Sequence, residues 1–592
     1  MKGKNRRNLT ALTAAVALVA LSGCSGGSPS TKGVFTAIDE LQSIDVNAPM
    51  NPYNAKANEF LGYNLMQLGW AKNSLTDPNA LYPAMAKSWT LSPDGTKLTV
   101  NIQPNAKWSD GTRVTSKDIK TSVGLGISQG NDPVAVKVID DKTIEFEEPE
   151  GVVSNSFVRS MLTIPLVPDS FFGAKIPASL WDDAATVSST KSTAAAQAKA
   201  SASIAALGKS LVSMGPAKDI SCGPFTLTRV NPGGAVLAKN PNFYDAAKID
   251  PTQVALKSFS GNQQIWSYLK SGALDAAPFT AVTPDVLKSI LAVKGNATVS
   301  GLSQVSASLA FNQKIKPFDD VHVRRGLAYL IDRAVVTKVG EGASGSVSAS
   351  TTGLIGPSVK LFAADAAANF NPYDVDKTKA AAELKQAGMA LQGGKWMLAN
   401  GKPFTVNIQV PNGFSDWVAA GQSITTGLTA MGIDSQLESS ADYPTYLKDL
   451  AAGKFAVGFW LTSLGPGPYA AYQRIYGLEN GWTAAGANVT HVAAGQNGNW
   501  MGSPETQILA GQSINPGTMA ASLTQLTGDS QKKVVAQLAQ LTNDQLPVIQ
   551  LWDYINLQFV NTNNYTNFPP ENADVLRSSP GVWMQLGYIK EK

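Results

Sequence analysis

Phe404-Thr405-Val406-Asn407-Ile408-Gln409-Val410 begins the stretch that decides the fold class, and Phe455-Ala456-Val457-Gly458-Phe459-Trp460 ends it. Between Thr405 and Val410 apolar and polar residues alternate, which predicts a strand. A helix is predicted over about Trp417 to Met431, a strand over Ile433 to Leu437, a helix over Tyr443 to Leu450, and a strand over Phe455 to Trp460. Gly432 and Gly453 stand where helices end on a residue that accepts left-handed backbone. Strands and helices alternating at this spacing argue for an α/β lobe.

The pattern changes on either side. Toward the N-terminus, Asp319-Asp320 opens a helix whose apolar face is Val323, Leu327, Leu330, Ile331 and Val335. The Gly/Ser/Thr-rich run 342–353 reads as loop. Toward the C-terminus, Val534, Val535, Leu538 and Leu541 mark a helix and Val548 to Leu551 a short apolar strand. Nearer the front, Leu98, Val100 and Ile102 alternate after the turn Asp94-Gly95, and Val136, Val138, Ile144 and Phe146 flank Asp140-Asp141. Between these hairpins Thr115-Ser116-Lys117-Asp118 has the hydroxyl cap and first-turn acid of a helix start. Residues 184–208 are rich in Ala, Ser and Lys and read as a solvated helix or insertion. A strand-rich stretch begins at Gly223, with turns at Asn231-Pro232-Gly233-Gly234 and Asn240-Pro241.

The chain has 592 residues, enough for two or three domains. Four of its 48 basic side chains are Lys2, Lys4, Arg6 and Arg7; the others balance the 44 acidic ones. Nothing in that balance points to nucleic acid. The basic start, the apolar run Leu9 to Leu21 and the ending Leu21-Ser22-Gly23-Cys24 predict an export signal over 1–23. The ending resembles a bacterial lipobox, which makes Cys24 the lipidated residue and 24–33 a flexible tether on the membrane. Cys222 reads as a buried small residue. With only His322 and His491, no Cys/His zinc site of the usual spacing can be built, and a carboxylate-held metal stays open. No phosphate loop, dinucleotide fingerprint or nucleophile elbow is present, so no cofactor is expected. Ser267-Tyr268-Leu269-Lys270 fits Ser-x-x-Lys, the pattern of a remote alternative, a serine hydrolase or penicillin-recognising enzyme. Without its companion motifs it reads as a surface helix.

Leu81-Tyr82-Pro83-Ala84-Met85-Ala86-Lys87-Ser88-Trp89, Ser92-Pro93-Asp94-Gly95, Lys107-Trp108-Ser109-Asp110-Gly111-Thr112 and Thr115-Ser116-Lys117-Asp118 follow one another in order. So do Cys222-Gly223-Pro224-Phe225, Asn240-Pro241-Asn242-Phe243-Tyr244, Pro317-Phe318-Asp319-Asp320-Val321-His322-Val323-Arg324-Arg325 and Pro547-Val548-Ile549. Together they resemble extracellular solute-binding protein family 5, the oligopeptide, dipeptide and nickel receptors of ABC importers. The resemblance implies a periplasmic-binding-protein-like α/β fold with two hinged lobes and an extra inserted lobe. Mapped here, 34–75, 216–305 and 550–592 form the first lobe, 76–215 the extra lobe and 306–549 the second. It also implies a non-enzymatic receptor that hands a short oligomeric solute to permease subunits, an oligopeptide first and an oligosaccharide second. Peptide-binding members carry an acid shortly after a second-lobe Trp; here Thr462 and Ser463 follow Trp460 instead. A buried ammonium needs such a partner. The ligand contacts expected are Trp460, Ser463, Tyr469 and Tyr472, with Tyr53 from the first lobe. Trp482 and Trp500 are further candidate platforms. Trp460 is expected to serve the ligand without being needed for folding.

Overall fold

The computed structural model describes residues 32–38, 47–54, 62–77, 79–148, 151, 153, 155–277, 280–301, 304–465, 467–476 and 500–592. Cys24, the signal, Trp482 and His491 lie outside the described residues.

Two mixed sheets organise the chain. One has seven strands, in the order Asn296–Gly301, Asn556–Asn561, Ala276–Ala277, Val34–Ile38, Gln253–Lys257, Gly234–Lys239 and Phe225–Asn231. The other has six, in the order Gly345–Val347, Val548–Tyr554, Val305–Phe311, Val457–Leu464, Thr405–Gln409 and Asp434–Glu438. The chain passes from the first to the second between Gly301 and Val305 and returns at Ile555. A third sheet, antiparallel and four-stranded, contains Ala86–Leu91, Lys97–Ile102, Thr143–Glu147 and Ala135–Val138. Its buried face is the alternation seen in the sequence: Leu98, Val100, Ile144 and Phe146 are wholly buried.

Motif residues prove to be scaffold. Helix Ser116–Ser128 starts at Thr115, whose backbone N–H donates to Asp118 Oδ2 (2.7 Å), the reciprocal arrangement of a capping box. Asp118 Oδ1 also accepts from Trp108 Nε1 (3.2 Å) and from the backbone of Asp169 (2.8 Å), which ties the Lys107–Thr112 turn to this helix. Arg324 donates to the carbonyls of Phe318, Gln545 and Leu546, and Arg325 to that of Asp544. Both arginines therefore close the C-terminal end of helix Gly528–Gln545, where cations complement the exposed carbonyls.

Three local expectations are revised. The helix opened by Asp320 ends at Leu330, because Asp332 accepts from the N–H groups of Ala334 and Val335 and caps a new helix, Arg333–Gly340. Val335 thus leaves the apolar face and is 49% exposed. The run 342–353 contains an edge strand, Gly345–Val347, since backbone pairing to Trp552–Tyr554 needs no particular side chain. The strand expected to stop at Trp460 continues to Leu464, held by pairing with Val305–Phe311. The expected Ala-rich insertion forms two helices, Ser179–Ser188 and Ala194–Leu211, packed against one another.

Candidate functional site

In the six-stranded sheet, Thr405–Gln409 runs parallel to Val457–Leu464 and Asp434–Glu438. The C-terminal ends of these three strands point toward the edge where the chain crosses between sheets, the place where α/β folds gather ligands. Ser463 lies there. It faces Ser306 across the ladder, and Ser306 faces Asp553 on its other side, so the three form one row. Gly465, just past the strand, donates from its backbone to the carbonyl of Gln304 in the crossing segment (3.2 Å).

This row is polar and tightly satisfied. Asp553 is 5% exposed and accepts from Ser306 Oγ (2.6 Å), Ser348 Oγ (3.0 Å) and Gly356 N (2.7 Å). Gln550 holds the neighbouring loop by accepting from the backbones of Thr352 and Gly353 and donating to Leu354 O and Ser306 Oγ. Burial raises the Asp553 carboxyl above the ordinary aspartate range, opposed by these donors. Thr462 shares a hydrogen bond with Ser308 (2.8 Å), one step further into the sheet.

The expected ligand contacts do not converge equally. Trp460, Tyr469 and Tyr472 belong to the core cluster of the six-stranded sheet and its helices. The Trp460 ring is 4% exposed, with the Arg474 guanidinium 5.4 Å over it and the Trp500 ring edge-on at 6.5 Å. Tyr469 opens helix Pro468–Tyr476 and is half-buried. Tyr472, on the same helix, is wholly buried, donates to the carbonyl of Thr352 (3.0 Å) and stacks with Tyr476. Its ring packs against Gly353, where a Cβ would come within 3.1 Å of it. Tyr53 packs against a separate cluster, Leu125, Val167, Phe172 and Leu211, with its hydroxyl 3.5 Å from Asn131 Nδ2. Ser463 alone of the five stands in the row at the crossing edge.

Two features escaped the sequence. Asp553 sits one residue past an apolar run, and only strand pairing reveals that it shares a row with Ser463. Arg474 donates to the carbonyl of Leu461 (3.1 Å), near the end of the same strand, and forms no ion pair among the described residues. Burial pushes it down to about 10, with Tyr443 acting in the opposite sense. The Ser-x-x-Lys serine, Ser267, is exposed and donates to Gln263 O one turn back, a helix surface residue.

The two mixed sheets, the double crossing between them and the antiparallel third sheet make a mixed α/β fold. Residues 80–483 match the family described as bacterial extracellular solute-binding proteins, family 5 (middle), so this chain belongs to that family of binding proteins, which are not enzymes. The oligopeptide-binding protein OppA of Bacillus subtilis is 24% identical over 336 residues, 52% of this chain and 54% of that protein. A probable ABC transporter-binding protein of Deinococcus radiodurans is 23% identical over 416 residues, 63% of this chain and 62% of its own. The chain thus spans between half and two-thirds of the length of these two relatives. In three dimensions, a periplasmic oligopeptide-binding protein of Thermotoga maritima superposes with TM-score 0.72 at 18% identity, covering 95% of this chain and all of its own. The same protein has been solved bound to mannohexaose (TM-score 0.70, 17% identity, the same coverage). AppA of Bacillus subtilis in complex with a nonapeptide gives TM-score 0.68 at 15% identity, covering 95% of this chain and all of that one.

Proposed function

We propose that this chain is the receptor of an ABC importer, tethered outside the cell membrane through a lipid on Cys24. It captures a short oligomeric solute between lobes that close about the two crossings, between Gly301 and Val305 and at Ile555, and presents it to permease subunits. The lobes are 34–75 with 216–301 and 556–592, the inserted 76–215, and 305–554; the boundaries expected at 305 and 550 move because strands Val305–Phe311 and Val548–Tyr554 pair within the six-stranded sheet. The carrying observation is the family match over 80–483 together with the polar strand-end row at the double crossing. Closure follows because only the closed form touches solute from both sides, so solute biases the equilibrium toward it.

A peptide is the first reading. The relatives named as oligopeptide-binding proteins support it, and Arg474 offers a guanidinium fork that suits a peptide's terminal carboxylate. Ser463 cannot neutralise an α-ammonium, so recognition rests on the carboxylate end. An oligosaccharide is the second reading, supported by the mannohexaose complex of the Thermotoga protein. A thermal-shift panel tests both: tri- to pentapeptides with free or amidated C-termini, N-acetylated peptides, and manno-, cello- and xylo-oligosaccharides. A binding probe at a hundred times its Kd stabilises the protein by about 2.7 kcal/mol. The peptide reading expects free-acid peptides to raise the melting temperature more than amides, with that preference lost in Arg474→Met. Shifts from neutral sugars alone would establish the second reading.

A further inference from the structure

We infer that the contact between the two lobes is a proton-held latch, in which Glu341 and Asp416 keep one shared proton only while that contact covers them. The inference rests on the lobe-closure part of the reading above.

On the seven-stranded side, helix Asn262–Lys270 buries Ile265 and Leu269 against Ile38, Ala277 and Phe559. Its first residue reaches across to the other lobe. Asn262 Nδ2 donates to Ser415 Oγ (3.0 Å) and, more weakly, to Asp416 Oδ1 (3.4 Å). Asn262 Oδ1 meanwhile accepts from Thr280 Oγ1 (2.9 Å) on its own side. Backbones meet closely here: a Cβ on Gly261 would fall 2.6 Å from the carbonyl of Gly413. A second touch lies nearby, where Val282 bridges Gly342; there a Cβ, already strained at a φ of 60°, would meet Val282 O at 3.0 Å.

Each touch is adjacent in sequence to a buried acid. Asp416, beside Ser415, is 5% exposed in the first turn of helix Ser415–Ala430. Glu341, beside Gly342, is 1% exposed at the end of helix Arg333–Gly340. The two acids stand on packed helix ends: a Cβ on Gly340 would fall 2.9 Å from the Asp416 carbonyl, and Glu341 Oε2 is buried with no hydrogen-bond donor among the described residues. The third titratable group facing them is Tyr554, from the strand that precedes the crossing at Ile555. Its hydroxyl donates to Asp416 Oδ2 (3.1 Å) and accepts from Trp417 Nε1 (2.7 Å). Among the described residues no Lys, Arg or His forms an ion pair with either acid. Two neighbouring carboxylates out of water, one with an oxygen that no donor reaches, are not both ionised, so the covered pair retains a proton.

The direction of coupling follows. Burial, then the neighbouring Asp416, holds the Glu341 carboxyl well above the ordinary range, and burial raises Asp416 as well. Separating the lobes at Asn262 and Gly342 admits water and lets both fall toward the ordinary carboxyl values near 4. The latched form therefore binds more protons than the open one. Its advantage is full at pH below about 4 and is lost as pH rises through the raised value of the pair.

Small-angle scattering of the full chain without solute, from pH 5 to pH 9, tests this. The wild type is expected to expand through one titration step as pH rises. Glu341→Gln, which keeps the shape without the charge, should stay compact throughout. Asn262→Ala, which removes the cross-lobe donor, should be expanded at every pH. A wild type that does not expand while Asn262→Ala does, or a Glu341→Gln variant that titrates like the wild type, overturns the proton latch and leaves lobe closure standing. If neither the wild type nor Asn262→Ala expands at any pH, the closure reading falls with the latch; if Asn262→Ala merely follows the wild type, the latch is overturned and closure stands. Asp416→Asn replaces Glu341→Gln if that variant does not fold, and the wild-type titration decides if neither folds.

Discussion

Trp460→Ala separates a ring that builds the lobe from a ring that serves the ligand. The indole is 4% exposed, lies under the Arg474 guanidinium at 5.4 Å and meets Trp500 edge-on. Truncating a buried tryptophan costs about 3–5 kcal/mol through lost transfer energy and the cavity left behind. Losing a partly desolvated cation–π contact adds about 1 kcal/mol. For a lobe of this size each kcal/mol moves the midpoint by about 2–4 °C, so the transition of the six-stranded lobe should fall by roughly 8–24 °C. Trp460→Phe keeps most of the apolar volume and should lose less than half as much. The assay is calorimetry without ligand, which resolves the transitions of separate lobes, with circular dichroism as a second probe. The structure thus revises the expectation that Trp460 can be removed with the fold intact. A Trp460→Ala protein that melts within about 2 °C of wild type, yet loses solute affinity tenfold, would refute the reasoning and return the ring to the ligand.

Two more predictions concern the row and the anchor. Ser463→Asp places a carboxylate at a position 3% exposed, one strand from Ser306 and two from Asp553. Its buried carboxyl should titrate above the free value, so the variant should lose stability relative to wild type as pH rises from 5 to 8. Melting curves that keep a constant offset across that range would count against it, and new affinity for free-amine peptides would show that the row faces solute. Cys24→Ala should move the protein from the membrane fraction to the medium or leave it unprocessed; acylation and cleavage that continue unchanged would exclude the lipid tether.

Much of the architecture was legible because it is local. Thr405–Gln409, the two helices and Asp434–Glu438 follow from apolar periodicity, and Gly432 and Gly453 do take left-handed backbone, with φ of 83° and 69°. Thr115 and Asp118 announced their capping box, and Asp320 its cap. The motif residue Trp108 was legible for the same reason, since it fixes a turn against Asp118 ten residues on, whereas Arg324 and Arg325 close a helix more than two hundred residues away. The break at Asp332 was missed because the apolar spacing runs on through Val335, and only the cap hydrogen bonds show that a second helix begins.

The sequence by itself determined the α/β class, the family and the absence of an acid after Trp460, since each depends on residues close together along the chain. The tertiary structure decided what those residues face. The strand end at Leu464 depends on a partner more than a hundred residues away, Val305–Phe311, so the sequence could not show that Ser463 lies in a ladder and not in a loop. Tyr472 and Trp460 are buried because the backbone around Thr352 and Gly353 covers the one and Trp500 the other, which periodicity does not reveal. Asp553 reaches the site by strand order, and Glu341 and Asp416 meet through the packing of two helices on one sheet. Burial and proximity across the chain set their charge, and those quantities exist only once the lobes are assembled.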